Sequence, residues 1–381
     1  MITNNRIVII GANEFQNQLI VKAKEMGLET HVFAWKCGDV GEKTADFFYP
    51  ISITEKEKIL KVCKKIKPIA VTSIASDLAV VTINFVAEKL GLVCNGIKTT
   101  KYTTNKFEMR KRLAESSLPV PQFACVNKTW SCEEIGDLEY PLIVKPTDRS
   151  GSRGVTKVFS KNDLNNAINY AYKYSFGGQV IIEEFISGEE YSCETISYNG
   201  EHKLLAITKK YTTGAPHFIE TGHLEPAQID DHLFEKIESL LEKALDALSI
   251  TSGASHSEIK IDEDGNIGII EIGARMGGDC IGSDLVYLSS GYDFLKMTIQ
   301  TACGKQPDLE RKHAPRYAGI RFLLNKNDLA QLRKIEKENP ELIYRTWIDS
   351  EDERIVEDSS TRLGYFIISG NEINAIKYLF E

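Results

Sequence analysis

Glu258 and Glu271 stand on either side of one short turn. The segment 257–271 reads as two Ile-rich runs flanking Asp264-Gly265, the dipeptide favoured in two-residue type I′ hairpin turns. On such a turn paired positions add to 529, which sets Glu258 directly opposite Glu271. Like charges directly opposite one another destabilise a sheet. A hard divalent cation between the carboxylates removes that cost, and Mg²⁺ commonly takes one or two carboxylates together with substrate phosphates. The plain alternative is a polar hairpin whose glutamates face water.

A second concentration of chemistry lies at 140–155. An apolar strand ends in Lys145, and Ser150-Gly151-Ser152-Arg153-Gly154 follows. Glycines let backbone N–H groups crowd around an anion, as phosphate-cradling loops require. Lys145 would then bring its charge to a phosphate oxygen. The pattern is not the Gly-x-x-x-x-Gly-Lys-Ser/Thr loop, and Gly/Ser turns between strands are common without a ligand. Further on, Val180-Ile-Ile runs into Glu183-Glu184-Phe185-Ile186, passes Gly188 and resumes through Glu190. Such an edge offers backbone groups to a base and a carboxylate to ribose hydroxyls. Standing alone, it would read as a charged strand end.

These residues need elements to hold them. The first hundred residues alternate strand and helix: a strand at 7–10, a helix at about 15–26 closed by Gly27, and a strand at 30–34. A helix at 55–67 stopped by Pro68, a strand at 69–74 and a helix at 78–90 closed by Gly91 follow. This rhythm predicts a parallel, doubly wound sheet. Gly11 follows the first strand, but no full Gly-x-Gly-x-x-Gly is present, which argues against a nicotinamide site. A helix is expected over 104–118, ended by Pro119 and Pro121 at the first domain junction. A helix over 231–248 divides the middle of the chain. The tail, 314–381, reads as α+β, with strands near 317–324 and 364–368 and then a final helix. The expected domains are an α/β unit at 1–103, a two-lobed centre at 104–310 with a mobile lobe at about 119–184, and a small α+β unit at 311–381.

Composition narrows the function classes. With 42% hydrophobic and 26% charged residues the chain reads as soluble and globular, and 381 residues suffice for two or three domains. A net charge of −8 leaves no basic surplus to neutralise phosphates, which argues against broad nucleic-acid binding. The eight cysteines include no Cys-x-x-Cys pair, so they read as thiols in a reducing compartment rather than a zinc or redox site. No signal-peptide pattern precedes the strand at 6–10, and no apolar run approaches a membrane span. The expectation is a cytoplasmic protein with no membrane partner.

Two lysines on separate elements, a Gly-rich loop, an acidic hinge and a terminal acidic hairpin together resemble the ATP-grasp superfamily. The order of these motifs covers nearly the whole chain, with a C-terminal unit similar to that of biotin carboxylase and its relatives. The resemblance implies an ATP-grasp fold (α/β and α+β), with ATP and Mg²⁺, or Mn²⁺ in its place, as cofactors. Lys106 resembles the first ATP lysine and Lys145 the second. Ser150, Gly151, Ser152, Arg153 and Gly154 resemble the loop that closes over the phosphates. Glu183, Glu184, Phe185 and Ile186 resemble the hinge that meets adenine, and Glu190 the ribose-binding glutamate. Glu258 and Glu271 match the metal carboxylates, and Arg275 the arginine near the reacting carboxylate and γ-phosphate. One departure stands out: most of the family has Glu-x-Asn where this chain has Glu271-Ile272-Gly273, which leaves the number of metal ions open.

The polar stretch 207–227 resembles the segment before the core helix of amino-acid ligases and carbamoyl-phosphate-synthase-like members. It puts His223 on the acceptor side, to orient a substrate or position the lid; a loop histidine is as readily structural. The implied activity is ADP-forming carboxylate–amine ligation through an acyl phosphate, joining an amino acid to an amine or a second amino acid. Small-molecule carboxylates and amines are then the partners, and a homodimer the default assembly. A bicarbonate- or carbamate-activating enzyme and a non-catalytic nucleotide-binding protein are the alternatives.

Overall fold

Runs of β-branched residues build the first sheet. The computed structural model describes residues 4–215, 218–352, 355–356, 359–373 and 376. In it β1 (Arg6–Ile10), β2 (Glu29–Ala34), β3 (Phe47–Pro50) and β4 (Ala70–Thr72) pair in parallel in the order β3-β2-β1-β4. Helices cover both faces of such a sheet, so Ile7 and Ile9 enter one core cluster while Val8 and Ile10 enter another. The crossovers carry α1 (Glu14–Glu25), α2 (Val40–Thr44), α3 (Lys56–Ile66) and α4 (Asp77–Leu90). The sequence-expected elements fall within a few residues of these. The edge strand β3 was not legible, because it is only partly buried and carries no clean alternation.

The single helix expected over 104–118 is two, α5 (Gly96–Thr104) and α6 (Lys106–Glu115). Asn105 breaks it with an extended backbone, and its side chain accepts from the N–H groups of Phe107 and Glu108. Lys106 thereby becomes the first residue of a helix.

The second sheet is antiparallel, order β5-β8-β6-β7, from β5 (Phe123–Val126), β6 (Leu142–Pro146), β7 (Thr156–Val158) and β8 (Val180–Glu184). It is backed by α7 (Lys161–Tyr174) through the apolar face of Leu164, Ala167, Ile168 and Ala171.

The third sheet has eight antiparallel strands: β9 (Glu189–Tyr198), β10 (Glu201–Thr212), β11 (Glu220–Glu225), β12 (Gly253–Ile261), β13 (Ile267–Gly273), β14 (Tyr317–Leu323), β15 (Ile343–Ile348) and β16 (Gly364–Gly370). Their order is β13-β12-β9-β10-β11-β14-β16-β15, so the tail strands extend the central sheet instead of forming a sheet of their own. Strand alternation assigns its faces. Tyr191 and Cys193 of β9 pack with α8 (Asp231–Ala247), whereas Glu190 and Glu194 face the other way. On that side α9 (Val286–Ser290) and α10 (Phe294–Ala302) join the core that includes β1. A further helix, α11 (Lys326–Glu338), packs on β14 and β16. The final helix expected from the sequence, and Pro216 and His217 of the polar stretch, lie outside the described residues. Among the described residues no helix is long and apolar enough to cross a membrane.

Candidate active site

Glu258 does lie opposite Glu271, but by a different route from the one expected. The strands are joined by five residues, Asp262–Asn266, not by a two-residue turn. Asp262 Oδ1 accepts from the N–H groups of Asp264 (3.0 Å) and Asn266 (2.8 Å) and holds the loop. That connection shifts the pairing by one residue, and a bulge between Glu258 and Ile259 restores it.

The expected repulsion between the two acids is also corrected. Lys210 Nζ lies 2.6 Å from Glu258 and 2.8 Å from Glu190. Lys106 Nζ lies 2.7 Å from Glu271 and donates to the Arg149 carbonyl at 2.8 Å. The chain's own lysines therefore balance both carboxylates. Burial alone would depress Lys210, but Glu190, Glu258 and Glu220 hold its ammonium well above the ordinary lysine range.

Lys145, at the end of β6, and Arg110, on α6, grip one buried carboxylate. Lys145 Nζ is 2.6 Å from one oxygen of Glu183 and Arg110 Nε is 2.6 Å from the other. Burial pushes Glu183 up, yet the two cations outweigh it and hold the carboxyl at about 2. Burial also depresses Lys145 despite that partner; a 2.6 Å contact beside a second cation decides for an ionised pair at neutral pH. Both oxygens of Glu183 are thus committed, and the hinge surface beyond it is offered by Glu184, Phe185 and Ile186.

Behind Glu258 runs a short polar chain. His256 Nε2 is 3.5 Å from Glu258, and His256 Nδ1 hydrogen-bonds Glu194, whose other oxygen accepts from Gly277 N–H at 3.0 Å. Burial would lower His256, but Glu194 lifts it to about 9. A Cβ on Gly277 would sit 2.6 Å from Glu194 and 2.8 Å from His256, so the site leaves room for glycine there. Arg275, on the far side of β13, pairs bidentately with Asp77 at 2.8 and 3.2 Å.

These groups line two cavities with a common wall. A cleft of about 1100 Å³, open to solvent, lies between the second sheet and the hairpin. Lys106, Lys145, Ser150, Gly151, Ser152, Glu183, Glu184, Phe185, Ile186, Glu190, Glu258, Glu271 and Arg275 all line it. A second, larger cavity of about 2180 Å³ opens toward the first sheet and the tail strands, and is lined by Arg153 and His223. Lys210, Glu220, His256, Glu258 and Arg275 face both. Gly154 lines neither; its backbone is left-handed (φ +73°), and an added Cβ would lie 3.0 Å from Pro146 and from Tyr174. His223 sits in strand β11 and not in a loop. It is buried, with Nε2 3.7 Å from Asp279 and its ring edge-on to Phe322.

The sequence reading missed Lys210, Arg110, His256, Asp77 and Arg362. His256 had a signal, since alternation in His256-x-Glu258 puts both on one face. Lys210 had a weaker one, a charge inside an otherwise apolar strand. Arg110, Asp77 and Arg362 meet partners 73, 198 and 83 residues away, and nothing local marks them.

Glu258 and Glu271 fit a hard cation by donor type. Among the described residues no group of three acids, histidines or cysteines could hold a metal alone, and two carboxylates completed by phosphate oxygens is a usual Mg²⁺ set. The Gly273 departure has a local cause: a Cβ there would lie 3.2 Å from both Arg275 Nε and Asp77 Oδ1. The Arg275–Asp77 pair takes the space that a third side-chain ligand would need.

Comparison with known proteins agrees with this geometry. Residues 138–284 match the ATP-grasp domain family. The alanine–anticapsin ligase of Bacillus subtilis is 28% identical over 311 residues, 72% of this chain and 65% of that ligase. The chain thus spans under two thirds of the length of the curated relatives it first matches. An L-amino acid ligase from Bacillus licheniformis superposes with a TM-score of 0.85 at 23% identity, over 99% of this chain and 96% of that one. The biotin carboxylase domain dimer of Hydrogenobacter thermophilus 2-oxoglutarate carboxylase, solved with MgADP, ADP and bicarbonate, gives 0.75 at 17%, over 96% and 86%. With the domain match, the fold and the cleft in agreement, the chain belongs to the ATP-grasp superfamily.

Proposed function

We propose that the protein is an ATP-dependent, ADP-forming carboxylate–amine ligase that joins an amino acid to an amine or a second amino acid. In this reading a substrate carboxylate attacks the γ-phosphorus of ATP and ADP leaves; the amine then displaces phosphate from the acyl phosphate to form an amide. The observation that carries the reading is the common wall of the two cavities, where Lys210, His256, Glu258 and Arg275 face both. A triphosphate on one side and an acceptor on the other would meet there.

Lys106 and Lys145 would exchange their carboxylate partners for phosphate oxygens. Glu258 and Glu271 would hold Mg²⁺, which when bound neutralises charge on the phosphates. Ser150 and Gly151 border both cavities, so closure of their loop would keep water from the acyl phosphate. Arg275 would stand beside the transferring phosphoryl group. Two curated relatives named as amino-acid ligases support the choice of substrate class.

Bicarbonate activation is the second reading, favoured by the fold shared with a biotin carboxylase domain solved with bicarbonate. Lysines and paired acids converging on one cleft argue against nucleotide binding without catalysis. The deciding measurement is ADP release with pairs of amino acids, set against bicarbonate plus biotin. Release with amino acids and formation of an amide product are expected; release with bicarbonate alone would overturn the ligase reading. A homodimer in the cytoplasm is the assembly and setting we propose, and sedimentation of the purified chain checks the first.

A further inference from the structure

Resting on that ligase reading, we propose that the second cavity accepts an amine carrying a second positive charge, that is, a basic amino acid or a diamine. The two cavities differ in charge. Seven lysine and arginine side chains face six acids around the nucleotide cleft. Around the second cavity seven acids face four. Moreover, all four of those cations have partners. Arg275 holds Asp77, Lys210 holds Glu190 and Glu258, Arg362 bridges Asp279 (2.9 Å) and Glu220 (2.8 Å), and Arg153 is also engaged. Glu14 and Asp39 form no ion pair among the described residues. A neutral or acidic acceptor would leave that surplus uncompensated.

Position points the same way. Glu14 opens α1 and Asp39 precedes α2, so both stand beyond the carboxyl ends of β1 and β2, where open α/β sheets receive ligands. A helix N-terminus on its own favours an anion, but Asn13 and Gln16 already cap α1 and Glu14 adds a negative charge to its first turn. Phe15 and the exposed Trp347 line the same space and offer apolar surface to an alkyl stem.

Deeper in, His223 Nδ1 has no hydrogen-bond partner although the side chain is only 1% exposed. Buried polar atoms seldom stay unpaired. Burial favours the neutral ring even against Asp279, so the ring adds no charge and can accept from an N–H. The wall also shows that a guanidinium suits these surroundings: Arg362 lies 3.6 Å over the Phe322 ring between two carboxylates.

The test measures ADP release by the full chain with ATP–Mg²⁺ and a fixed donor amino acid. The acceptors are L-lysine, L-arginine and 1,4-diaminobutane, against L-glutamine and L-glutamate. The cationic acceptors should exceed L-glutamine by about tenfold in kcat/KM, a preference that shrinks as salt is raised. Glu14→Gln and Asp39→Asn should each reduce the preference by about two- to fivefold, the scale of a partly exposed ion pair, with melting temperatures reporting that both variants fold. Equal or better use of L-glutamine or L-glutamate overturns this proposal and leaves the ligase reading standing. So does a preference untouched by salt and by both substitutions. Absence of ADP release with every amine tested overturns the ligase reading, and this inference with it.

Discussion

The nucleotide cleft and the second cavity share a wall, yet they are made by different parts of the chain and in different electrostatic states. The cleft draws on one stretch, from α6 through the Gly/Ser loop and the hinge to the hairpin. Its charges are nearly balanced and locked in pairs of 2.6–2.8 Å. The second cavity is assembled from the loops after β1, β2 and β4, the Arg275–Asp279 segment and the tail strands, and its acids outnumber its cations. A balanced, paired cleft is stable without ligand and can trade carboxylate for phosphate. An acidic cavity stays selective for what it admits. The difference suggests that the first region decides whether chemistry occurs and the second decides on what.

The largest effect that would break this division is on catalysis. Lys145→Ala and Glu258→Gln should each lower ADP release at least about a hundredfold with every acceptor, because positioned charge on the phosphates is lost. A coupled ADP assay across several acceptors checks it. A loss confined to one acceptor would move these residues to the other side of the wall.

Next in size is the buried triad. Glu183→Gln leaves Arg110 and Lys145 without a counter-charge and should cost about 3–5 kcal/mol of stability. Its pH dependence has a definite sign. The folded carboxyl is held at about 2, below its ordinary 4.5, so its contribution is present above about pH 4.5 and fades as pH falls toward 2. Urea melts should show that acid limb in the parent and not in Glu183→Gln.

Glu271→Gln should be milder. Opposed glutamates would predict a neutral or slightly stabilising change. With Lys106 at 2.7 Å, the apoprotein should instead lose about 1–2 kcal/mol, as when a partly buried charge-assisted hydrogen bond is removed. Thermal melts without nucleotide distinguish the two. Smallest, and specific to the second region, His223→Ala should raise KM for the acceptor about three- to tenfold while KM for ATP stays put, the worth of one buried hydrogen bond. Equal rises in both constants would mean that the wall, not the cavity, had been disturbed.

What the sequence by itself determined is whatever rests on neighbours along the chain. Alternating strand and helix gave the parallel sheet, because burial on both faces demands continuous apolar runs. A strand ending in Lys145 before Gly151 and Ser152, and an acidic end to the strand that holds Glu183, put nucleotide chemistry on the right segments. The pairing of Glu258 with Glu271 was legible in outcome but not in cause. A five-residue turn and a bulge offset each other there, and a one-residue register change leaves no trace in composition. Tertiary structure alone decided the rest. It set Lys210 between Glu190 and Glu258, closed Arg110 and Lys145 on Glu183, and filled the space beside Gly273 with a pair whose partners are 198 residues apart. It also joined the tail strands to the central sheet, which brings Arg362 to Asp279 and Glu220. Such contacts arise from packing whole elements together, and their energies depend on burial and distance, which no local pattern encodes.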